Sequence, residues 1–375
     1  MPKRKHILIL NIVSAISGAE RSLLALLETI DVSKYNVTIL LPQKENLFFQ
    51  LHDRFNIKVL PLVNFRKSYS PFYILRTAFN LIWVSIAIAR FIKKENIDIV
   101  IANSLKANVY TYILKTLTGI KTVCFVRDNI STKKIYRVLL SSNDQLVCVS
   151  EFIRKQIPNR RNNATVIYPA ISMPRQVAKM YRIRQKLELT ENIRLVAAIG
   201  QLTPWKNLME FITIAELVLS KNQSVHFIIA GDAMTASDSV YKKKIERRIA
   251  ESDFKKHFSM LGFRNDIESI FKQIDILVHC ALREPFGRSV AEAMFYEKPV
   301  VAFDSGGPRE ITLPEVSGFL VQPGNLTDMA NKVSLLLCDE KLRASMGKNG
   351  KAHIQQALNT DQTTFRIESI LDALN

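Results

Sequence analysis

The sequence predicts an α/β protein of two Rossmann-like domains, each a parallel sheet with helices on both faces and the pair facing a central cleft. Three observations predict it. Short runs rich in Val, Ile and Leu alternate with amphipathic stretches along the whole chain, and near-continuous apolar runs are what strands buried on both faces of a parallel sheet require. The alternation comes in two series, interrupted at "TVIYPAISMPRQVAK", where Pro169 and Pro174 suggest a hinge near residues 168–180. The length, 375 residues, is too great for one ordinary core and suits two of roughly 150 to 200 residues. The boundaries that follow are 1–170, 171–355 and a terminal helical segment, 356–375, that either returns to the first domain or packs on the second.

In the first series, "HILILNIV" reads as a strand and leads into a helix from about Ala19. "NVTILLP" and "IKVLPLV" are strands with a helix between them, and a long helix runs from about Pro71 to Lys94. Further strands are "IDIVIAN", "KTVCFVR" and "DQLVCVS", each followed by helix. The second series gives "IRLVAAIG", a helix from about Lys206, "VHFIIAGD", a lysine-rich helix, "HFSMLGF", "IDILVHC" and "KPVVAFD". The long helix invites comparison with a membrane span. Only thirteen uncharged residues separate Arg76 from Arg90, short of the roughly 20 that spanning needs. It reads first as a core helix, and second as one partly exposed at a membrane interface with Arg90, Lys93 and Lys94 at its basic end.

Composition is globular: 47% hydrophobic, 23% charged, with 12 Gly and 13 Pro, which excludes a disordered chain. Cys124, Cys148, Cys280 and Cys338 lie far apart in apolar surroundings without metal-ligand spacing and read as buried free thiols in a reducing compartment. The N-terminus is basic then apolar, as in a signal peptide, but its apolar run is short and β-like, so it reads as the first strand of a cytoplasmic protein. Charge is uneven. Residues 1–170 carry 25 Lys and Arg against 10 Asp and Glu, a net of +15, whereas 171–375 carry 27 against 24, a net of +3. The first half either presents a solvated lysine-rich surface or meets an anionic one. No aromatic-basic platform for stacking bases is evident, so no nucleic acid partner is expected. The membrane candidates are Arg66, Lys67, Arg90, Lys93, Lys94, Lys133, Lys134 and Arg137.

Ligands of open α/β sheets bind beyond the carboxyl ends of strands, and four such ends carry polar or glycine features. In "SAISGAERSL", Ser17 and Gly18 form either a plain turn or a close backbone approach to an anion at a helix start. In "GQLTPWKN", Gly200 allows a turn and Lys206 is either solvated or placed beside phosphate oxygens. "IIAGDA" ends in Gly231 and Asp232. In "REPFGRSVAEAMFYEKPVVAFDSGGPREI", Glu284 falls on a loop bounded by Pro285 and Gly287, and Glu292 in the opening turns of a helix. Carboxylates accept paired hydrogen bonds from vicinal hydroxyls, so two of them suit a ligand with two diols, such as a nucleotide sugar.

"EPFGRSVAE" followed by "KPVVAFDSGGPREI" and "SGFLVQPGN", with "SGAE", "GQLTPWKN" and "AGD" in order before them, resembles the signature of the family-4 retaining glycosyltransferases of GT-B fold (glycosyl transferases group 1). The resemblance spans nearly the whole chain and is most specific over residues 195–325. It implies that the second domain binds a nucleoside-diphosphate sugar: Glu292 holding the ribose, Glu284 with the backbone of Phe286 and Gly287 the hexose, Lys206 the diphosphate, and Gly18 letting the first-domain loop close. Lys206 and Glu284 are thereby the catalytic candidates. It further implies hexose transfer to a hydroxyl of a glycan or lipid-linked acceptor in cell-surface polysaccharide or glycolipid synthesis; the basic first half adds the expectation of a peripheral place at the cytoplasmic side of an anionic membrane. No cofactor and no metal are expected, since the sequence has no Asp-x-Asp.

Two departures stand out. Gln201 replaces the arginine usual in the family, leaving one diphosphate cation missing unless Arg288 supplies it. The first domain lacks the histidine many members present, and Asn103, Arg127 and Asp128 occupy the acceptor-side positions instead. The rival readings are a glycosidase using Glu284 and Glu292 as acid and nucleophile, and a non-catalytic GT-B protein on an anionic membrane.

Overall fold

A computed structural model describes the chain except residues 1–3, 14–16, 45–50, 52, 64–69, 131–133, 158–162, 172–181 and 375. It divides into two compact units, Met1–Ser172 with Leu358–Asn375, and Met173–Ala357. Each is a parallel sheet wrapped by helices, the fold class the sequence predicts.

The first sheet has seven strands, β1 (Lys5–Leu10), β2 (Tyr35–Leu41), β3 (Asn56–Val59), β4 (Ile99–Ala102), β5 (Lys121–Val126), β6 (Gln145–Cys148) and β7 (Ala164–Val166), in the order β3-β2-β1-β4-β5-β6-β7. All described pairings are parallel, with Ile7 opposite Val37 on one side and Ile99 on the other. Crossover helices are α1 (Gly18–Thr29), α2 (Pro71–Glu95), α3 (Asn108–Thr118), α4 (Lys134–Ser141) and the single turn α5 (Glu151–Arg154). Strand order reverses at β1: the chain first steps outward to β2 and β3, then through α2 back to β4 and onward. Right-handed crossovers therefore place α1 on one face and α2, α3 and α4 on the other.

The second sheet has six strands: β8 (Arg194–Ile199), β9 (Val225–Ala230), β10 (Phe258–Gly262), β11 (Ile276–His279), β12 (Val300–Phe303) and β13 (Gly318–Val321), in the order β10-β9-β8-β11-β12-β13. Its helices are α6 (Ile183–Lys186), α7 (Leu208–Leu219), α8 (Ala236–Ala250), α9 (Ile267–Gln273), α10 (Arg288–Phe295), α11 (Pro308–Ile311), α12 (Leu326–Cys338) and α13 (Glu340–Ala357). Phe211, Phe227, Phe303 and Met329 fill its core, Phe211 meeting Phe227 edge-on at 5.8 Å between ring centres.

The last helix, α14 (Thr360–Ala373), packs on the first unit. Ile367 and Leu371 join the core formed by Leu23, Leu27 and Ile39. Its free carbonyls are capped from β1, where Lys5 Nζ donates to the oxygens of Leu371 (2.9 Å), Asp372 (3.0 Å) and Leu374 (3.1 Å). The Tyr35 hydroxyl donates to Asp372 Oδ1 at 2.5 Å; burial and then that carboxylate raise the phenol, so the donor keeps its proton.

Several expectations need correction. The α2 helix is not a core helix: about a fifth of its most apolar stretch is buried. β3 stops at Val59, and an unexpected short strand, β7, forms just ahead of the hinge expected near 168–180; residues 172–180 of that hinge, and most of the segment expected to be helical between β2 and β3, lie outside the described residues. The helix expected from Lys206 starts at Leu208, after a 3-10 turn, Pro204–Lys206. Of the cysteines, Cys338 is exposed.

His226 on β9 is buried, its Nε2 2.8 Å from Ser259 Oγ. Burial, then the neighbouring His257, push its pKa down from 6.5 to about 4. The unfolded ring gains its proton as pH falls through 6.5 and the folded ring only near 4, so the unfolded state binds more protons between the two. Stability should fall over that window by up to roughly 3 kcal/mol from this residue. Urea unfolding between pH 7 and 4 should show a shallower acid limb in His226→Gln; an unchanged limb would exclude the residue as a cause.

Candidate functional site

The candidate site residues of the second unit lie at the carboxyl ends of β8, β9, β11 and β12. Gly200 and Gly231, closing β8 and β9, have φ of 149° and 148°, a region side chains rarely adopt. A Cβ at Gly231 would lie 1.8 Å from the Gly200 oxygen, and one at Gly200 would reach 3.4 Å from Lys206 Cε. The glycines thus let two strand ends touch and let the Lys206 stem lie across them. Asn207, left-handed at φ 51°, ends the 3-10 turn and ties it to β11 through Nδ2 to the Cys280 oxygen at 3.2 Å.

Glu284, buried on the loop after β11, receives Lys206 Nζ on Oε2. His279 Nε2 lies 3.2 Å from the same oxygen. Burial alone would raise the Glu284 carboxyl, but the Lys206 charge and then His279 overcome it and hold it at about 2. Burial depresses His279, so its ring is neutral at pH 7; its Nε2 makes no hydrogen bond in this structure and is placed to turn its proton onto that Glu284 oxygen. The loop is fixed from behind by "SGGP". The Gly307 amide donates to the Glu284 oxygen at 2.8 Å. A Cβ at Gly306 would come within 2.4 Å of the Glu284 oxygen, and one at Gly307 within 2.2 Å of the Phe286 oxygen. Any side chain there displaces Glu284.

Gly287, at φ 95°, starts α10, which carries Arg288 and Glu292 one turn apart; Arg288 Nε donates to Glu292 Oε1 at 2.8 Å, and both side chains are largely buried. Phe286 is buried beneath. Gln201 turns its amide to Asp238 Oδ2 at 3.0 Å, an oxygen that also takes the Thr235 hydroxyl at 2.7 Å. A small cavity between the ends of β8 and β11 is lined by Gly200, Gln201, Lys206, His279 and Cys280. The structure therefore brings Gln201, Lys206 and His279 to one cavity, with Glu284 joined to Lys206 by an ion pair and Arg288 and Glu292 paired on the helix that follows the Glu284 loop.

In the first unit Gly18 opens α1 behind a capping box, Ser17 with Glu20. Arg127 stacks on Phe125, Cζ 4.9 Å from the ring centre, and lines a pocket with Ser22, Tyr168 and Thr364. Asp128 is exposed. Asn103 is a correction: it is fully buried and donates to Asn11 Oδ1 at 3.0 Å, linking the ends of β1 and β4 rather than offering an edge to a ligand. Among the described residues no three or more His, Cys, Asp or Glu side chains converge to hold a metal ion. Sequence reasoning missed His279, whose signal was its place as the last residue of a buried strand, and Glu20.

Lys206→Met strands a buried carboxylate and should lower stability by about 3–5 kcal/mol, measured by urea unfolding at pH 7. Adding Glu284→Gln should restore most of it; a loss in the double variant equal to the sum of the two single losses would mean the pair does not interact.

Two family models match in succession: "Glycosyltransferase Family 4" over residues 16–175 and "Glycosyl transferases group 1" over 179–353. Among curated proteins, the chain is 28% identical over 169 residues to the poly(ribitol-phosphate) alpha-N-acetylglucosaminyltransferase of Staphylococcus aureus, covering 45% of this chain and 33% of that one. It is 23% identical over 312 residues to the UDP-Gal:alpha-D-GlcNAc-diphosphoundecaprenol alpha-1,3-galactosyltransferase of Escherichia coli, covering 76% and 78%. The chain spans from a third to about three fifths of the length of the first relatives it matches. Among solved structures, Anabaena HepE in complex with UDP and glucose superposes with a TM-score of 0.81 at 23% identity, over 98% of this chain and 99% of that one. Consecutive family matches from residue 16 to 353, on two parallel α/β sheets shared with such structures, mean that the chain belongs to the family-4 glycosyltransferases of GT-B fold.

Proposed function

We propose that the protein transfers a hexose, with retention and without divalent metal, from a nucleoside-diphosphate sugar to a hydroxyl of a glycan or lipid-linked acceptor in cell-surface polysaccharide or glycolipid synthesis. The observation that carries this reading is the Lys206–Glu284–His279 cluster at glycine-ended strands. An ammonium held there is what the departing diphosphate needs as its negative charge grows. Glu284 occupies Lys206 in the structure, so the diphosphate must take Lys206 over from it. His279 Nε2 is placed to turn its proton onto Oε2 when that happens, and Oε1, which neither Lys206 nor His279 engages, is left for sugar hydroxyls.

The remaining assignments follow the family pattern. Glu292, steadied by Arg288, takes the ribose diol, and the backbone at Phe286 and Gly287 lies against the hexose. Gln201 brings an amide where the family has a second cation, and Asp238 turns it aside. Lys206 then carries the diphosphate charge with Arg288 in support. Arg127 and Asp128 are proposed for the acceptor side, on the Arg127 pocket of the first unit. A uridine donor and a lipid-diphosphate-linked acceptor are supported by the names of the galactosyltransferase and the HepE complex. The proposed setting is the cytoplasmic face of an anionic membrane, supported by the net +15 of residues 1–170. A glycosidase needs one carboxyl kept protonated near neutrality, whereas Lys206 and His279 keep Glu284 ionised.

Calorimetric titration with UDP-, GDP-, ADP- and TDP-sugars should give binding to one base, lost in Glu292→Ala. No binding to any of them would favour a non-catalytic GT-B protein. Proton NMR of the first product should show the donor's anomeric configuration, and an inverted product would overturn retention. Turnover should persist in EDTA, and its abolition would refute metal independence.

A further inference from the structure

The α2 helix is apolar on two opposite faces. Toward the sheet it buries Val84, Ser85, Ile88 and Ile92. Away from the sheet, Phe72, Leu75, Phe79, Ile82, Trp83 and Ile86 are 40 to 75% exposed. Their spacing of three and four residues puts them in one stripe, about 21 Å long at 1.5 Å per residue. The same stripe continues into Arg90, Lys93 and Lys94, all exposed, with Arg76 along its margin. Among the described residues the core of this unit does not include that outer stripe, and an exposed apolar patch of such length marks a docking surface.

Its neighbours repeat the pattern. The α2 helix packs on α3 and α3 on α4, a row on one face of the sheet. On α4, Ile135 and Val138 are 61% and 49% exposed between exposed Lys134 and Arg137. Across the three helices Glu95 is the sole acidic residue.

We propose that this row is a membrane-docking face, with α2 lying in the plane of an anionic leaflet, its Phe72–Ile86 stripe among the acyl chains and its C-terminal cations at lipid phosphates. This deepens the membrane setting proposed above and rests on it. Aromatic and aliphatic side chains ending in Lys and Arg are the composition of an interfacial helix. Three alternatives fit less well. Spanning the bilayer would strip Val84, Ile88 and Ile92 from the core and bury Arg76 in hydrocarbon. A second copy of this chain would bring cationic stripe ends together with no acids to offset them. A nucleic acid would meet the cations but leave Phe72, Leu75 and Phe79 in water. Arg66, Lys67 and Lys133, which sequence alone suggested for this role, lie outside the described residues.

The test uses the full chain with Trp205→Phe, which leaves Trp83 the only tryptophan of the two present. With phosphatidylcholine–phosphatidylglycerol vesicles, Trp83 emission should shift to the blue and be quenched by acyl-brominated lipid. Co-sedimentation should need the anionic lipid and weaken with salt. Phe79→Asp, which places a charge in the stripe, should lower vesicle partitioning by about tenfold or more, and Lys93→Glu with Lys94→Glu should remove the salt dependence. Nucleotide-sugar titration in solution reads the second unit independently: binding retained in Phe79→Asp shows an intact protein, and its absence in every form defeats the donor reading rather than this one. Equal sedimentation of Phe79→Asp and its parent, an unquenched Trp83, or a concentration-dependent dimer abolished by Phe79→Asp would overturn the proposal, the last in favour of self-association.

Discussion

Parallel strands buried on both faces leave the chain almost nowhere to put chemistry except at their ends. The strands of both sheets are nearly all apolar and covered by helices, so any buried polar group must find its hydrogen bonds within the few residues where strand gives way to loop. Lys206, His279, Glu284 and Gln201 all stand at such places. What makes them a site is that the ends can approach one another, and here glycine is required: Gly231 against the Gly200 carbonyl, and Gly306 and Gly307 against the backbone of the Glu284 loop. These are contacts between main chains, closer than any β-carbon permits.

That constraint explains what could be read in advance. The alternation of apolar runs and helical stretches specifies strands because period and burial are local properties, and the strands from "HILIL" to "VVAF" were legible except the three-residue β7. The Glu284 to Glu292 spacing was legible as well, since loop and helix lie within one segment. The Lys206–Glu284 pair joins residues 78 positions apart, and the His279 contact depends on where β11 ends against that loop, so neither leaves a local pattern. Asn103 shows the opposite error: a polar residue after a strand looks like a ligand-facing group, yet it is fully buried against Asn11. The long helix was misjudged because hydropathy counts apolar residues without saying which face meets the sheet, and α2 has two apolar faces.

The two units divide the physical tasks. In the first, α14 adds its apolar face to the core beside α1, and Lys5 satisfies three carbonyls that would otherwise end the chain unpaired. That closure frees the opposite face, where α2, α3 and α4 lie, from any duty to the C-terminus. In the second, the charge is nearly balanced and ion pairs are internal: Arg248 with Glu216, Arg264 with Asp266, Arg288 with Glu292. On the proposed donor reading, a domain that admits an anionic ligand gains little from a strong overall field, since nearby lysines would hold the ligand anywhere on the surface. It gains more from one cation in one place.

A buried carboxylate on that cation would seem to defeat the purpose, yet it makes the arrangement workable. On the proposed donor reading, the ion pair with Glu284 holds Lys206 in place at the strand ends until a phosphate arrives. A carboxylate left in a poorly solvated pocket once the lysine turns away would then be met by His279, whose neutral ring stands 3.2 Å from the same oxygen with no hydrogen bond at Nε2 and can turn its proton onto it without adding a second positive charge. On this view the histidine at the end of β11 sets how readily Lys206 is released, and a leucine there would leave the ion pair intact but make its exchange costly.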